Sequence, residues 1–182
     1  MRLLVLGGTT FLGPAVVGSA LARGHEVTLF NRGRTNPDLF PEAEKLRGDR
    51  EGELDVLRGR EWDAVIDPSG YVPGVVHSAA RVLAGAVGHY VFVSSISVYA
   101  DRSDRLREDG PLARLDPEHS VDTLREDYAN YGPLKALCEQ AVAELFPTRH
   151  AIVRPGLIVG PHDPTAELGV DRHLPELPAQ HR

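Results

Sequence analysis

The chain has 182 residues, of which 42% are hydrophobic and 25% charged, and this balance suits one globular domain. Its net charge of -6 argues against a general nucleic-acid-binding protein, because such a protein needs a basic face. One cysteine, Cys138, excludes an internal disulfide, and no apolar run approaches the ~20 residues of a transmembrane helix, so we expect a cytoplasmic protein with no membrane partner.

The first thirty residues predict a strand, a helix and a second strand. The apolar run at 2–6 stops at two glycines and indicates a buried strand. Apolar side chains then recur at helical spacing over 11–23, and Gly24 ends the helix. Residues 26–30 predict the second strand. Together these segments have the length of a strand–turn–helix–strand unit.

Strands and helices continue to alternate along the rest of the chain. The predicted strands lie at 44–49, 63–68, 89–95 and 150–155, and the predicted helices at 73–88 and 131–146. This alternation predicts one three-layer α/β domain over residues 1–163, with a doubly wound parallel sheet in the order 3-2-1-4-5-6. Residues 101–127 are charged and predict a long surface excursion, and 164–182 predict an irregular tail.

The segment LGGTTFLG, residues 6–13, joins the first strand to the first helix. A glycine-rich turn at this place lets backbone approach a pyrophosphate and directs a helix N-terminus at the negative charge. Thr10 stands where the pattern Gly-x-x-Gly-x-x-Gly has its middle glycine, and its hydroxyl could bond phosphate. The alternative is an ordinary glycine-rich turn. The predicted dinucleotide contacts are Gly7 for the tight turn, Thr9, Thr10, Phe11, Leu12, and Gly13 for close helix packing.

The end of the second strand predicts which cofactor binds. A carboxylate there would bond the ribose 2′-hydroxyl, whereas this chain has Asn31, Arg32 and Arg34. Guanidinium groups suit a 2′-phosphate, so we expect NADP(H) to be preferred and NAD(H) to remain possible. The alternative is that these are solvated loop charges. Asp49, beside Arg50, is placed to accept from an adenine amine, or else to cap its own loop.

A second constellation indicates proton-transfer chemistry. Tyr131 and Lys135 lie four residues apart on a predicted helix and therefore share one face. A lysine ammonium beside a phenol is expected to lower the tyrosine pKa, which makes the tyrosine an acid or base near neutral pH. Ser95, at the end of the preceding strand, could orient a substrate oxygen. The alternative is that Tyr131 and Lys135 are ordinary exposed side chains of a surface helix.

Six motifs over about residues 1–163 resemble the extended, or atypical, short-chain dehydrogenases/reductases, the NAD-dependent epimerase/dehydratase family. They are GGTTFLG, NRGR, GDR, VFVSSISVYAD, YGPLK and VRPGLIVGP. The first two are similar to a branch that includes chloroplast stem-loop RNA-binding proteins and bacterial reductases or epimerases. The resemblance implies a Ser95, Tyr131 and Lys135 triad, with Tyr131 as acid/base and Lys135 also bonding the nicotinamide ribose. It places Ser69, Gly70 and Pro155 along the cofactor.

The expected function is that of an NAD(P)-dependent oxidoreductase or epimerase/dehydratase acting on a carbonyl or carbinol carbon. The expected substrate is a small molecule such as a nucleotide sugar. Members of this family continue into a substrate-binding region that the tail does not resemble, so a chain truncated after the sixth strand is also expected. The alternatives are a non-catalytic NADP(H)-binding sensor, an RNA-associated module, and an inactive truncated fragment.

Two further expectations concern partners. The histidines and Cys138 show no ligand spacing, so no metal site is expected. Nucleic acid is an unfavoured partner because the chain is acidic. A homodimer is compatible with the sequence, with the helices at 73–88 and 131–146 as candidate faces.

Overall fold

The apolar runs of the sequence form the strands of one parallel sheet. The computed structural model describes residues 1–103, 105–118, 120–122, 130–160 and 163. Its strands are β1 (Arg2–Leu6), β2 (Glu26–Asn31), β3 (Glu44–Arg47), β4 (Trp62–Asp67), β5 (Val87–Val93) and β6 (His150–Val153). Neighbouring strands pair in parallel in the order β3-β2-β1-β4-β5-β6, which confirms the predicted topology.

Helices cover both faces of this sheet. They are α1 (Leu12–Ala22), α2 (Pro73–Leu83) and α3 (Tyr131–Leu145). Leu3 and Val5 of β1 belong to the apolar cluster that includes Val17 of α1. Alternate side chains of the same strand, such as Leu4, belong to the cluster that contains residues of α2 and α3. Because successive strand side chains point to opposite faces, β1 is buried on both sides and the three-layer prediction is confirmed.

The predicted ends of α2 and β5 were wrong. The helix ends at Leu83, and β5 starts at Val87, so Gly88 lies inside a strand instead of stopping a helix. A Cβ on Gly88 would lie 2.7 Å from the carbonyl oxygen of Asp63 on β4. The glycine is therefore needed for close strand pairing, which sequence reasoning interpreted as a helix stop. The strand ends at Val93, so Ser95 lies beyond it.

The charged segment after β5 folds back on the residues that directly follow this strand. Tyr99 and Leu112 form an antiparallel bridge, and the Ala113 amide donates to the Val98 carbonyl at 2.7 Å. Leu106 and Leu112 pack beside Val98 and Tyr99. The described part of the predicted excursion thus has backbone pairing of its own. Residues 123–127 and the predicted tail at 164–182 lie outside the described residues.

Candidate cofactor and catalytic site

The turn between β1 and α1 has backbone that only glycine adopts readily. Gly7 and Gly8 have φ of 107° and 91°. A Cβ on Gly13 would lie 2.7 Å from the Cα and carbonyl carbon of Gly8. Gly13 was expected to permit close helix–sheet packing, whereas the close packing that it permits is against the turn itself.

Thr10, at the departure from the glycine pattern, is exposed, and its carbonyl accepts from the Gly13 amide at 2.9 Å. The next residue, Phe11, has φ 51° and ψ -115°, a strained conformation for a residue with a side chain. No side chain caps α1, and its first turn has no acidic residue. The helix N-terminus is thus electropositive and compatible with an anion.

A cleft of about 330 Å³ lies at the carboxyl ends of β1 to β4. In open parallel sheets this edge is where ligands bind. The predicted cofactor residues that line it are Gly7, Thr9, Thr10, Asn31, Arg32, Arg34, Asp49, Arg50 and Ser69. Those outside its lining are Phe11, Leu12, Gly13, Gly70, Lys135 and Pro155. The structure thus brings nine of the predicted residues together in one wall.

Asn31 joins the end of β2 to the glycine turn. Its side-chain amide donates to the Gly7 carbonyl at 2.8 Å, and its Oδ1 accepts from the Gly33 amide at 2.9 Å and from Arg47. Sequence reasoning missed Arg47, although it ends β3 in register with Asn31. The Asn31 side chain is therefore engaged in holding the wall of the cleft.

The guanidinium groups beside the cleft differ in their surroundings. Arg32 lies 3.8 Å from Asp49 Oδ2, while Asp49 Oδ1 accepts from the Glu51 amide at 3.1 Å. Asp49 thus caps its own loop, which was the alternative interpretation of that residue. Arg34 is exposed at the cleft.

Arg50 is bound to a carboxylate that sequence reasoning missed. Its Nη1 and Nη2 donate to Asp67 Oδ1 and Oδ2 at 2.9 and 2.7 Å, and Asp67 is fully buried. Burial raises the pKa of Asp67, but the charge of Arg50 and the hydrogen bonds hold it below its usual value. A carboxylate ending the apolar run WDAVID was the available signal. Although Arg50 lines the cleft, both terminal nitrogens of its guanidinium already donate to Asp67.

The start of α3 places Tyr131 beside Ser95. A Cβ on Gly132 would collide with the Ser97 carbonyl oxygen, so this glycine permits the close approach of α3 to the turn that follows β5. The Ser95 side chain is close enough to influence the Tyr131 phenol. Burial raises the pKa of Tyr131, the neighbouring Tyr71 raises it further, and the influence of Ser95 opposes the rise. The expected lowering of this pKa was therefore wrong.

Lys135 does not lower the pKa of Tyr131, because its ammonium is held by carbonyl groups. Nζ donates to Gly70 O at 2.8 Å and to Val93 O at 2.6 Å, and the residue is 1% exposed. The rings of Phe92 and Tyr71 have centroids 4.3 and 5.2 Å from Nζ. Burial lowers the pKa of Lys135 to about 8. The alternative of a surface lysine is wrong.

A second and larger cavity lies at the opposite edge of the sheet. It has about 1040 Å³ and is lined by residues at the amino ends of β1, β2 and β4, including Arg2, Glu26 and Trp62. We place the candidate site in the smaller cleft, because the carboxyl edge carries the glycine turn and adjoins Lys135. Among the described residues no three His, Cys, Asp or Glu side chains group as metal ligands. No helix in the described ranges has the length and apolar content to cross a bilayer.

No family model matches the chain. A curated relative, the 2-alkyl-3-oxoalkanoate reductase of Stenotrophomonas maltophilia, is 30% identical over 185 residues, with 90% of this chain and 52% of the reductase covered. The chain thus spans about half the length of that relative.

Solved structures with similar folds include UDP-glucuronic acid 4-epimerase from Bacillus cereus in complex with NAD. It has a TM-score of 0.69 and 17% identity, with 90% of this chain and 59% of the epimerase covered. A UDP-galactose 4-epimerase has a TM-score of 0.65 and 24% identity over 85% and 55% of the two chains. The chain therefore shares the fold of these two epimerases, which is the fold implied by its resemblance to the extended short-chain dehydrogenases/reductases.

Proposed function

We propose that the chain is an NAD(P)-dependent oxidoreductase or epimerase of the short-chain dehydrogenase/reductase type, acting at a carbonyl or carbinol carbon. One arrangement carries this proposal: the segment Ser69–Tyr71 links the cleft to the candidate triad. Ser69 and Tyr71 line the cleft, while the Gly70 carbonyl between them accepts from Lys135. The Tyr71 ring lies 6.3 Å from the ring of Tyr131.

The residues present fit a dinucleotide. The turn at Gly7 and Gly8 and the uncapped, acid-free start of α1 suit a pyrophosphate. Arg32 and Arg34 suit a 2′-phosphate at the adenosine end, so NADP(H) is the preferred cofactor. Pro155 and Lys135 would lie towards the nicotinamide, which when bound supplies a hydride acceptor or donor.

Tyr131 is the proton-transfer residue in this proposal. Its raised pKa keeps the phenol protonated near neutral pH, so it serves as the acid that protonates a carbonyl oxygen. Ser95 orients that oxygen through its hydroxyl. Lys135 has two of its three ammonium protons bound to carbonyls, which leaves one donor for a ribose hydroxyl.

The names of the relatives define two substrate panels. One consists of 3-oxoalkanoates, after the reductase, and the other of UDP-sugars, after the epimerases. With a panel member that is turned over, Tyr131→Phe should lower kcat by about 10²- to 10⁴-fold while the cofactor Kd stays the same. Ser95→Ala should also lose activity, and Ser97→Ala is the matched control. Unchanged turnover in Tyr131→Phe contradicts the assigned role.

Calorimetric titration tests the cofactor preference. Arg34→Gln should weaken NADPH binding about tenfold and leave NADH binding unchanged, because only NADPH carries the 2′-phosphate. Arg32→Gln should have a smaller effect, since Arg32 is already close to Asp49. Equal binding of the two cofactors by the wild type would refute the preference. No binding of either would refute the whole functional proposal.

A second candidate is an NADP(H)-binding protein without catalysis, which the cleft residues beside the glycine turn support without any role for Tyr131. Binding of NADPH without turnover of any member of either panel would favour this candidate. An RNA-associated role is less favoured because the net charge is -6.

A further inference from the structure

The carboxylate of Asp67 is the centre of a buried hydrogen-bond network. Oδ1 accepts from Arg50 Nη1 at 2.9 Å and from the Ser69 amide at 3.1 Å. Oδ2 accepts from Arg50 Nη2 at 2.7 Å and from the Tyr90 hydroxyl at 2.8 Å. Four donors thus converge on one fully buried side chain, which fixes both its position and its charge.

The guanidinium of Arg50 has one unpaired nitrogen among the described residues. This nitrogen is Nε, which is buried and has no partner in that part of the chain. Nη1 also lies 3.3 Å from Ser69 Oγ, which donates to the Leu6 carbonyl at 2.7 Å. The ion pair therefore joins the segment after β3 to the ends of β4 and β1, directly below the glycine turn.

The same carboxylate fixes the segment that holds Lys135. A Cβ on Gly70 would lie 2.5 Å from Phe92 Cε2, 2.8 Å from Val76 Cγ2 and 3.2 Å from Asp67 Oδ2. Gly70 is thus confined between side chains, and its carbonyl is aimed at Lys135 Nζ, 2.8 Å away. Moving Asp67 would move this carbonyl.

We propose that Arg50 and Asp67 are positioning residues for Lys135: their buried ion pair holds the Ser69–Gly70 segment so that the Gly70 carbonyl seats the ammonium. The consequence for catalysis rests on the proposed function, since it requires Lys135 to bond the cofactor. The placement of the Lys135 ammonium by the Gly70 carbonyl does not depend on the proposed function. In this arrangement the Arg50–Asp67 ion pair holds both the wall of the cleft and the segment that contacts Lys135.

The pKa of Lys135 depends on its burial and on several charged and titratable groups, including this pair. Burial is the largest influence and lowers its pKa. Asp67 raises it, as do Cys138 and Glu139 from its own helix, whereas Arg50 lowers it. The rings that face Nζ belong to Phe92 and Tyr71, and Tyr90 faces the pair from β5. Asp67 is the leading influence that opposes burial.

The chain contains only two lysines, Lys45 and Lys135, so a direct titration is practical. Protein labelled with 13C at lysine Cε should give two resonances, and Lys45→Arg identifies the one from Lys135. The wild-type Lys135 should titrate with a pKa of about 8. Asp67→Asn should lower this pKa by about 1, because a favourable charge is lost while burial persists. General loosening of the structure would instead raise it.

The control is Asp63→Asn, the same substitution at the other end of β4, where Asp63 accepts from the Arg2 amide. It should leave the pKa of Lys135 unchanged. The double variant Arg50→Met with Asp67→Asn removes both charges and leaves no unpaired buried charge. It therefore serves as the test if the single variant does not fold. It should also lower the pKa. A folded variant with an unchanged or raised Lys135 pKa overturns the proposal, and so does a wild-type value near 10.5.

NADPH titration of the same samples separates this inference from the proposed function. Asp67→Asn should weaken NADPH binding relative to Asp63→Asn if Lys135 bonds the cofactor. If the wild type binds no NADPH, the functional proposal fails, while the lysine titration still decides whether the ion pair positions Lys135.

Discussion

At the scale of single residues, the glycines of α1 show how one missing side chain permits the candidate site. Gly13 and Gly18 lie in the same helix and look equivalent in the sequence. Their surroundings differ, because a Cβ on Gly13 would meet the Gly8 backbone at 2.7 Å and one on Gly18 would meet only Phe40 Cε1 at 3.8 Å. Close approach is therefore required at the first position and absent at the second.

Gly13→Ala should lower the free energy of unfolding by about 1–3 kcal/mol, because backbone has to shift. Gly18→Ala is the matched control and should raise it by about 0.5–1 kcal/mol through helix propensity. Denaturant titration measures both. Equal effects of the two substitutions would contradict the inferred contact between α1 and the turn.

At the scale of elements, Arg154 ties α3 to the segments around β5 and β6. Its guanidinium forms two bonds to Glu139 at 3.0 and 2.7 Å and one to the Tyr99 hydroxyl at 2.9 Å. It also donates to the Glu108 carbonyl at 2.8 Å. The helix that begins with Tyr131 is thus held to the segment that folds back after β5.

Arg154→Met should lower the free energy of unfolding by about 3–5 kcal/mol, because it leaves the largely buried Glu139 carboxylate without its partner. The exposed pair of Arg60 and Glu44 provides the control: Arg60→Met should cost less than about 1 kcal/mol. Urea unfolding followed by circular dichroism measures both. A loss in Arg154→Met no larger than in the control would show that the pair does not stabilise the fold.

At the scale of the whole molecule, Lys135 makes stability depend on pH. Its pKa is about 8 in the folded chain against an ordinary value of 10.5. Between these values the unfolded chain binds more protons, so the Lys135 contribution makes stability rise with pH. Cys138 acts in the other direction above pH 9.0, because burial raises its thiol pKa to about 12 and the unfolded chain loses that proton first.

Lys135→Met removes this titration, so the stability of the variant relative to the wild type should be highest below pH 8. The difference should shrink by up to about 1.4 kcal/mol per pH unit between about 8 and 10.5. Lys135 also lowers the pKa of Cys138, so the comparison rests on the interval from pH 7 to 9, below the range in which the Cys138 thiol is mainly ionised in the unfolded chain. Unfolding at pH 7, 8 and 9 measures the difference, and a constant difference would contradict the buried ammonium.

The sequence predicted the fold better than the site. Apolar periodicity, with Pro73 starting a helix, identified the six strands and three α-helices of the described residues, because these signals act between near neighbours in the chain. It failed at Gly88, where a glycine that admits a neighbouring strand resembles a helix stop. For the candidate site it indicated a set of residues of which nine line the cleft at the carboxyl edge of the sheet. It did not indicate which guanidinium is already paired.

The amino-acid sequence by itself determined a doubly wound α/β domain with a glycine turn at its first strand, because element type and order follow from local periodicity. Only the tertiary structure decided which polar groups bond to each other. Arg50 and Asp67 are 17 residues apart, and Lys135 and Gly70 are 65 apart. Buried polar groups bond whatever donor or acceptor the fold brings within reach, and that proximity does not exist until the sheet has formed.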